Sequence, residues 1–144
     1  MPIFSTQDGN SISIDVKHWS FVRFFHIGYV NVDIHVPGSL DIQMQCNAGT
    51  ISIVESALQG NTVFTTNAGT IQFDGELSPN SDSLFKTNAG TIDAILPSGS
   101  SFALTAHTSL GSVRNDFHDN LVGHGPYGRL NLESQMGTIS VRRK

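Results

Sequence analysis

Cys46-Asn47-Ala48-Gly49-Thr50-Ile51 is a phrase that the chain repeats. It recurs as Thr66-Asn67-Ala68-Gly69-Thr70-Ile71 and as Thr87-Asn88-Ala89-Gly90-Thr91-Ile92. Looser copies follow at Thr108-Ser109-Leu110-Gly111-Ser112-Val113 and Ser134-Gln135-Met136-Gly137-Thr138-Ile139. The five glycines stand 20, 21, 21 and 26 residues apart. Self-similarity at such a period marks a repeat architecture, whose units bury their apolar faces only against their neighbours.

Aligning the copies on glycine gives columns. Two places after it stand Ile51, Ile71, Ile92, Val113 and Ile139; five places before it stand Met44, Phe64, Phe85, Ala106 and Leu132. Polar columns lie one step away from each, at Gln45, Thr65, Lys86, His107 and Glu133, and at Ser52, Gln72, Asp93, Arg114 and Ser140. Apolar beside polar at single steps is period two, the pattern of strands with one buried face. No stretch sustains the three- and four-residue steps of a helix. Each repeat therefore reads as strand, Asn-Ala-Gly corner, strand and return, with glycine supplying a backbone that other residues reach only under strain. The expected fold is an all-β, single-domain β-solenoid over 1–144, with rungs of about 20 residues at 41–141. The isoleucine column, Val113 included, is expected to stack inside. Asn47, Asn67 and Asn88 are expected to form an amide ladder at the corners. The Thr column at 50, 70, 91 and 138 lacks the second Thr column that a flat ice-binding array needs.

Outside the repeats, Asp8-Gly9-Asn10 is a turn signal, and Ile12, Ile14 and Val16 alternate with polar residues as a strand. Val30, Val32, Ile34 and Val36 alternate likewise, ahead of a turn at Pro37-Gly38. Gly9 and Gly28 sit near the repeat spacing and mark two possible further rungs. Between these segments lies an aromatic stretch, Trp19, Phe21, Phe24, Phe25 and Tyr29. It can serve as a ligand-stacking surface, or as a plug over the open end of the stack; the plug is the reading adopted, since a terminal rung lacks a neighbour. Residues 1–40 are thus taken as N-terminal strands and cap.

Composition narrows the function. Of the 144 residues only 14% are charged, and the net charge is -4. Nucleic acid is not an expected partner, because phosphate binding needs clustered Lys and Arg. The one basic run, Arg142-Arg143-Lys144, reads as a solubilising tail that protects the last strand edge. A lone cysteine, Cys46, allows neither an internal disulfide nor a Cys-based zinc site, and its column neighbours are Thr and Ser, so it reads as a small inward or corner residue. No signal peptide and no apolar run of about 20 residues is visible, so no membrane span is expected in this chain.

The longest interval between glycines adds an irregular loop, Asp116 to Tyr127, and insertions in repeat proteins often lie on a binding face. It carries Asp116, His118, Asp119, His124 and Tyr127, the candidate binding residues. His and carboxylate ligate divalent ions, but this spacing matches no recognised site, so neither metal nor cofactor is assigned. The alternative is a cap, with Phe117, Leu121 and Tyr127 as its apolar contacts. No nucleophile–base arrangement and no recurring carboxylate pair is seen, so no catalytic residue is assigned.

The phrase Thr-Asn-Ala-Gly-Thr-Ile resembles the Thr-Ser-x-Gly-Asp-Ile phrase of a large family of bacterial domains of unknown function, known as adhesin-like or toastrack domains. Ile95-Leu96-Pro97-Ser98-Gly99-Ser100-Ser101-Phe102 and Leu130-Asn131-Leu132-Glu133 through Ile139 are similar to that family's closing rungs. The usual Asp after glycine is Thr here, which removes a row of negative charge. The resemblance implies a single β-solenoid in a cell-envelope or membrane-associated protein, and it brings no catalytic residues. The expected function is a non-enzymatic interaction or scaffold module that binds a protein partner or itself. A glycan-binding or glycan-processing β-helix is the alternative.

Overall fold

The computed structural model describes residues 3–8, 11–16 and 41–144, and the chain groups into two compact units, Met1–Ile34 and His35–Lys144. In the first unit β1 (Ile3–Asp8) and β2 (Ser11–Val16) pair antiparallel, Ile3 with Val16 through Asp8 with Ser11. This is the hairpin that the turn signal at 8–10 predicts. The aromatic plug, the strand at 30–36 and the rungs sought at Gly9 and Gly28 fall outside the described residues.

The second unit contains β3 (Ile42–Leu58), β4 (Asn61–Leu77), β5 (Asp82–Leu96), β6 (Phe102–Asn115), β7 (Leu121–Val122) and β8 (Gly128–Arg143). Among the described residues no helix is long and apolar enough to cross a membrane. β3, β4, β5, β8 and β6 pair in parallel with their glycines in register, which makes a β-solenoid with one long strand per rung.

Each rung bends at its glycine because the buried parity changes there. On β4, Thr62, Phe64 and Thr66 are buried, then Ile71, Phe73, Gly75 and Leu77. In a straight strand, buried residues keep an even spacing; the odd step from Thr66 to Ile71 requires a corner. Gly69, Gly90, Gly111 and Gly137 adopt φ of 144 to 150°, a region that favours glycine. They are also held close. A Cβ on Gly69 would lie 1.9 Å from Gly49 O, one on Gly90 1.8 Å from Gly69 O, one on Gly137 1.8 Å from Gly90 O, and one on Gly111 1.7 Å from Gly137 O.

That series gives a stacking order different from the chain order. β8, the last strand, lies between β5 and β6: Asp82 pairs with Arg129, and Phe102 pairs with Gly128. The chain leaves β5, skips a level to form β6, and returns to fill the gap with β8. The isoleucine column is interior for Ile51, Ile71, Ile92 and Ile139, but Val113 is 43% exposed. The expected burial of Val113 is corrected, because β6 is the outermost rung. Side-chain size supports this order. The column Phe64, Phe85, Leu132, Ala106 shrinks toward the outside. In chain order, Ala106 would leave a void between Phe85 and Leu132, and voids forfeit packing contacts.

The core is built from those columns, with Phe64 stacked on Phe85 at 5.0 Å and Phe73 tilted against Phe85 at 5.6 Å. Inside the corner, the hydroxyls of Thr66, Thr87 and Ser134 are buried without hydrogen-bond partners, as are those of Thr62 and Ser83. Cys46 continues that column, half-buried, with its thiol donating to Ala48 O at 3.3 Å. Outside the corner the amide ladder forms: Asn67 Nδ2 donates to Asn47 Oδ1 at 3.1 Å, and Asn88 Nδ2 to Asn67 Oδ1 at 3.0 Å.

The basic run at the C-terminus also needs correction. β8 is an internal strand, so Arg142-Arg143-Lys144 guards no edge. Arg142 grips Asp93 with two donors, Lys144 Nζ donates to Asp74 Oδ1 at 2.7 Å, and Arg143 stands 4.9 Å over the Phe117 ring. The run fastens one rung to others.

Candidate functional site

The candidate loop begins where β6 ends. Asn115 occupies an inward column otherwise filled by Ile53, Phe73, Ala94 and Val141, but on the outermost rung its amide is free to organise a turn. Its Oδ1 accepts from Phe117 N at 3.0 Å, and its Nδ2 donates to Asp119 O at 2.9 Å. Asn side chains build such turns by imitating backbone. His118 takes φ of 63° within it. Phe117 swings into the core, edge-on to Phe102 at 5.1 Å. The chain then runs along the outer side of β6: Leu104 N donates to Asn120 O at 2.7 Å, and β7 pairs with Phe102 and Ala103. His124 N donates to Ser101 Oγ at 3.2 Å, and Asn80 N donates to Tyr127 O at 3.1 Å.

The five candidate residues are dispersed along this path. The Asp116 carboxylate accepts from Arg114 Nε at 3.1 Å. His118, Asp119 and His124 are exposed, and Tyr127 is half-buried. Among the described residues no three His, Cys, Asp or Glu side chains come together as a metal-ligand set. Of the three apolar contacts expected for a cap, Phe117 is buried, Tyr127 is half-buried and Leu121 is 58% exposed; Val122, not among them, packs against the core.

Elsewhere five of the described acids are engaged singly. Lys86 Nζ lies 3.2 Å from Glu133, Asp74 and Asp93 pair with the C-terminal basic residues, Asp41 accepts from Asn61 N at 2.7 Å, and Asp82 from Asn131 Nδ2 at 3.4 Å. The hydrogen bond it donates to Asp93, and then the charge of that carboxylate, hold the Arg142 guanidinium above its ordinary range. Two shallow depressions, of about 330 and 150 Å³, carry one carboxylate each, Glu76 and Glu133. Glycosidic chemistry of the usual two-carboxylate kind has no pair to use in either.

The feature that sequence reasoning missed is the outer edge of β6. Past Ala103 no described strand pairs with it. Leu110 (68% exposed) and Met136 (54%) are register partners on the outside of its corner, and Val113 (43%) is left partly uncovered in the inward column. The available signal was the polar Asn115 in an inward column, which suits an end rung and no other.

Fold and site together define a class: a parallel β-solenoid with charged pairs such as Lys86–Glu133 and Arg142–Asp93 running from rung to rung, and with an outermost rung, β6, that no described strand pairs past Ala103. Comparison with protein-family models, curated proteins and solved structures finds no match.

Proposed function

We propose that this chain is a non-enzymatic interaction or scaffold module, of the adhesin-like or toastrack kind, serving an envelope- or membrane-associated protein by binding a protein partner or a second copy of itself. The observation that carries the reading is the outer edge of β6, which past Ala103 no described strand pairs and which exposed Leu110 and Met136 flank, a main-chain template for another strand. The charges add support in a different way. They are spent on rung-to-rung pairs such as Lys86–Glu133 and Arg142–Asp93, not gathered around a cleft.

The test is a photo-crosslinking residue at Ser112, on that edge, in the gene product expressed in its own cells. Crosslinks to protein that vanish on Val113→Lys are expected. A chain that crosslinks to no protein, yet binds polysaccharides on a glycan array, would overturn the reading in favour of a glycan-binding β-helix.

A further inference from the structure

We infer that β6 is a strap: its middle, residues 105–114, lifts from β8 as a local unit while both of its ends stay fastened.

Burial marks the span. Phe102 and Leu104 are buried at the start of β6, and Phe117 is buried just past its end, but no residue from 105 to 116 is. The neighbouring rung is different, since β8 buries Leu130, Leu132, Ser134, Ile139 and Val141 along the same columns. The cause lies in the sequence. The inward positions of the span are Ala106, Thr108 and Val113, small side chains on a rung that no described strand covers from outside past Ala103.

The two ends are tied to each other. The Phe102 and Phe117 rings meet edge-on at 5.1 Å. At the start, β7 pairs with Phe102 and Ala103, and Leu104 N donates to Asn120 O at 2.7 Å. At the finish, Asp116 N donates to Val141 O at 2.9 Å, His118 N donates to Asn115 O at 3.3 Å, and Arg143 stands over the Phe117 ring. A span held in this way can open without unfolding what holds it.

What keeps the span down is mostly main chain. Leu104 N–H points away from β8, so by the alternation along a strand the amides of 105, 107 and 109 point toward it. Asp116 N–H points to β8, so those of 112 and 114 do as well. Thr108 Oγ1 adds a long bond to Gly137 O, at 3.4 Å. Ion pairs add nothing: Arg114 is bonded to Asp116 of its own chain segment, and Glu133, opposite His107, pairs with Lys86 of β5. Each main-chain bond contributes modestly, and release of the span returns the conformational entropy that ordering it cost. Exposed main-chain bonds over few buried apolar contacts are the mark of a segment that opens locally. Opening bares the outer edge of β8, together with Leu132 and Ile139, which Ala106 and Val113 otherwise adjoin in register.

The experiment is native-state amide exchange on the whole chain, read residue by residue in zero to low urea. The amides of 105, 107, 109, 112 and 114 are expected to exchange at least about 100-fold faster than the register-matched amides of β5, at 84, 86, 88, 91 and 93, and with little dependence on urea. The amides of Leu104 and Asp116, in the fastenings, are expected to stay slow. Strap amides that exchange as slowly as those of β5 overturn the inference. So do Leu104 and Asp116 amides as fast as the strap, because the whole rung would then be leaving together. Phe117→Ala unties the ends, and in that variant the Leu104 amide should speed up to the rate of the strap; an unchanged Leu104 amide would also overturn the strap. Should Phe117→Ala fail to fold, the wild-type rates decide alone.

Discussion

Replacing Gly90 by alanine puts a methyl group 1.8 Å from Gly69 O and 2.8 Å from Gly69 C, where Cβ contacts under about 3 Å essentially never occur. The two rungs must part by more than an ångström, or the corner must change shape. Holding a non-glycine residue at φ of 149° costs about 1–3 kcal/mol by itself. Parting the rungs weakens the flanking main-chain bonds, each worth about 1 kcal/mol net. With two or three such bonds affected, the total is about 3–6 kcal/mol, a large fraction of a domain's stability. Gly49→Ala is the internal control. It has the same corner and a similar φ of 139°, but among the described residues its new Cβ meets only Cys46 Sγ, at an ordinary 3.5 Å. Only the strain of about 1–3 kcal/mol remains. Urea unfolding followed by circular dichroism should show both midpoints lowered at constant m, with Gly90→Ala worse by about 2–3 kcal/mol. Equal losses for the two variants, or a Gly90→Ala protein as stable as wild type, would refute the close glycine stacking on which the fold rests.

Three further outcomes follow from burial. Ile71→Ala should cost about 2–5 kcal/mol, whereas Val113→Ala, in the same column but on the outermost rung, should cost well under half as much at concentrations where the chain is monomeric; equal costs in chemical denaturation would argue that β6 is not outermost. Thr87→Val removes a buried hydroxyl that has no partner, so it should raise stability by about 1 kcal/mol, and a loss of that size would show that the hydroxyl is satisfied. Phe117→Ala should cost about 3–5 kcal/mol, while the joint change of His118, Asp119 and His124 to Ala should shift the melting temperature by no more than a few degrees; a collapse of the triple variant would mean that those side chains fasten the loop.

The repeated phrase was enough to determine the elements and their faces. Period-two columns at Phe64, Ile71 and Phe73 specify which side chains go inside, because a strand alternates its faces whatever its neighbours are. The glycine at each corner and the Asn ladder outside it follow from local backbone chemistry, so they too were legible. The order of the rungs was not. Every copy presents nearly the same glycine corner, so any copy can stack on any other, and local signals carry no address. Only packing across the whole stack distinguishes the arrangements: Leu132 fits between Phe85 and Ala106, and Asn115 finds turn partners only on an outer rung. The candidate residues from Asp116 to Tyr127 were visible as an irregular insertion. That they lie dispersed along an anchored loop instead of converging was decided by Phe117 entering the core and Asn120 bonding Leu104. The outer position of β6, whose edge past Ala103 no described strand pairs, likewise follows only because the last strand returned to the inside of the stack, a choice made by the volumes of distant side chains and not by the phrase that each rung repeats.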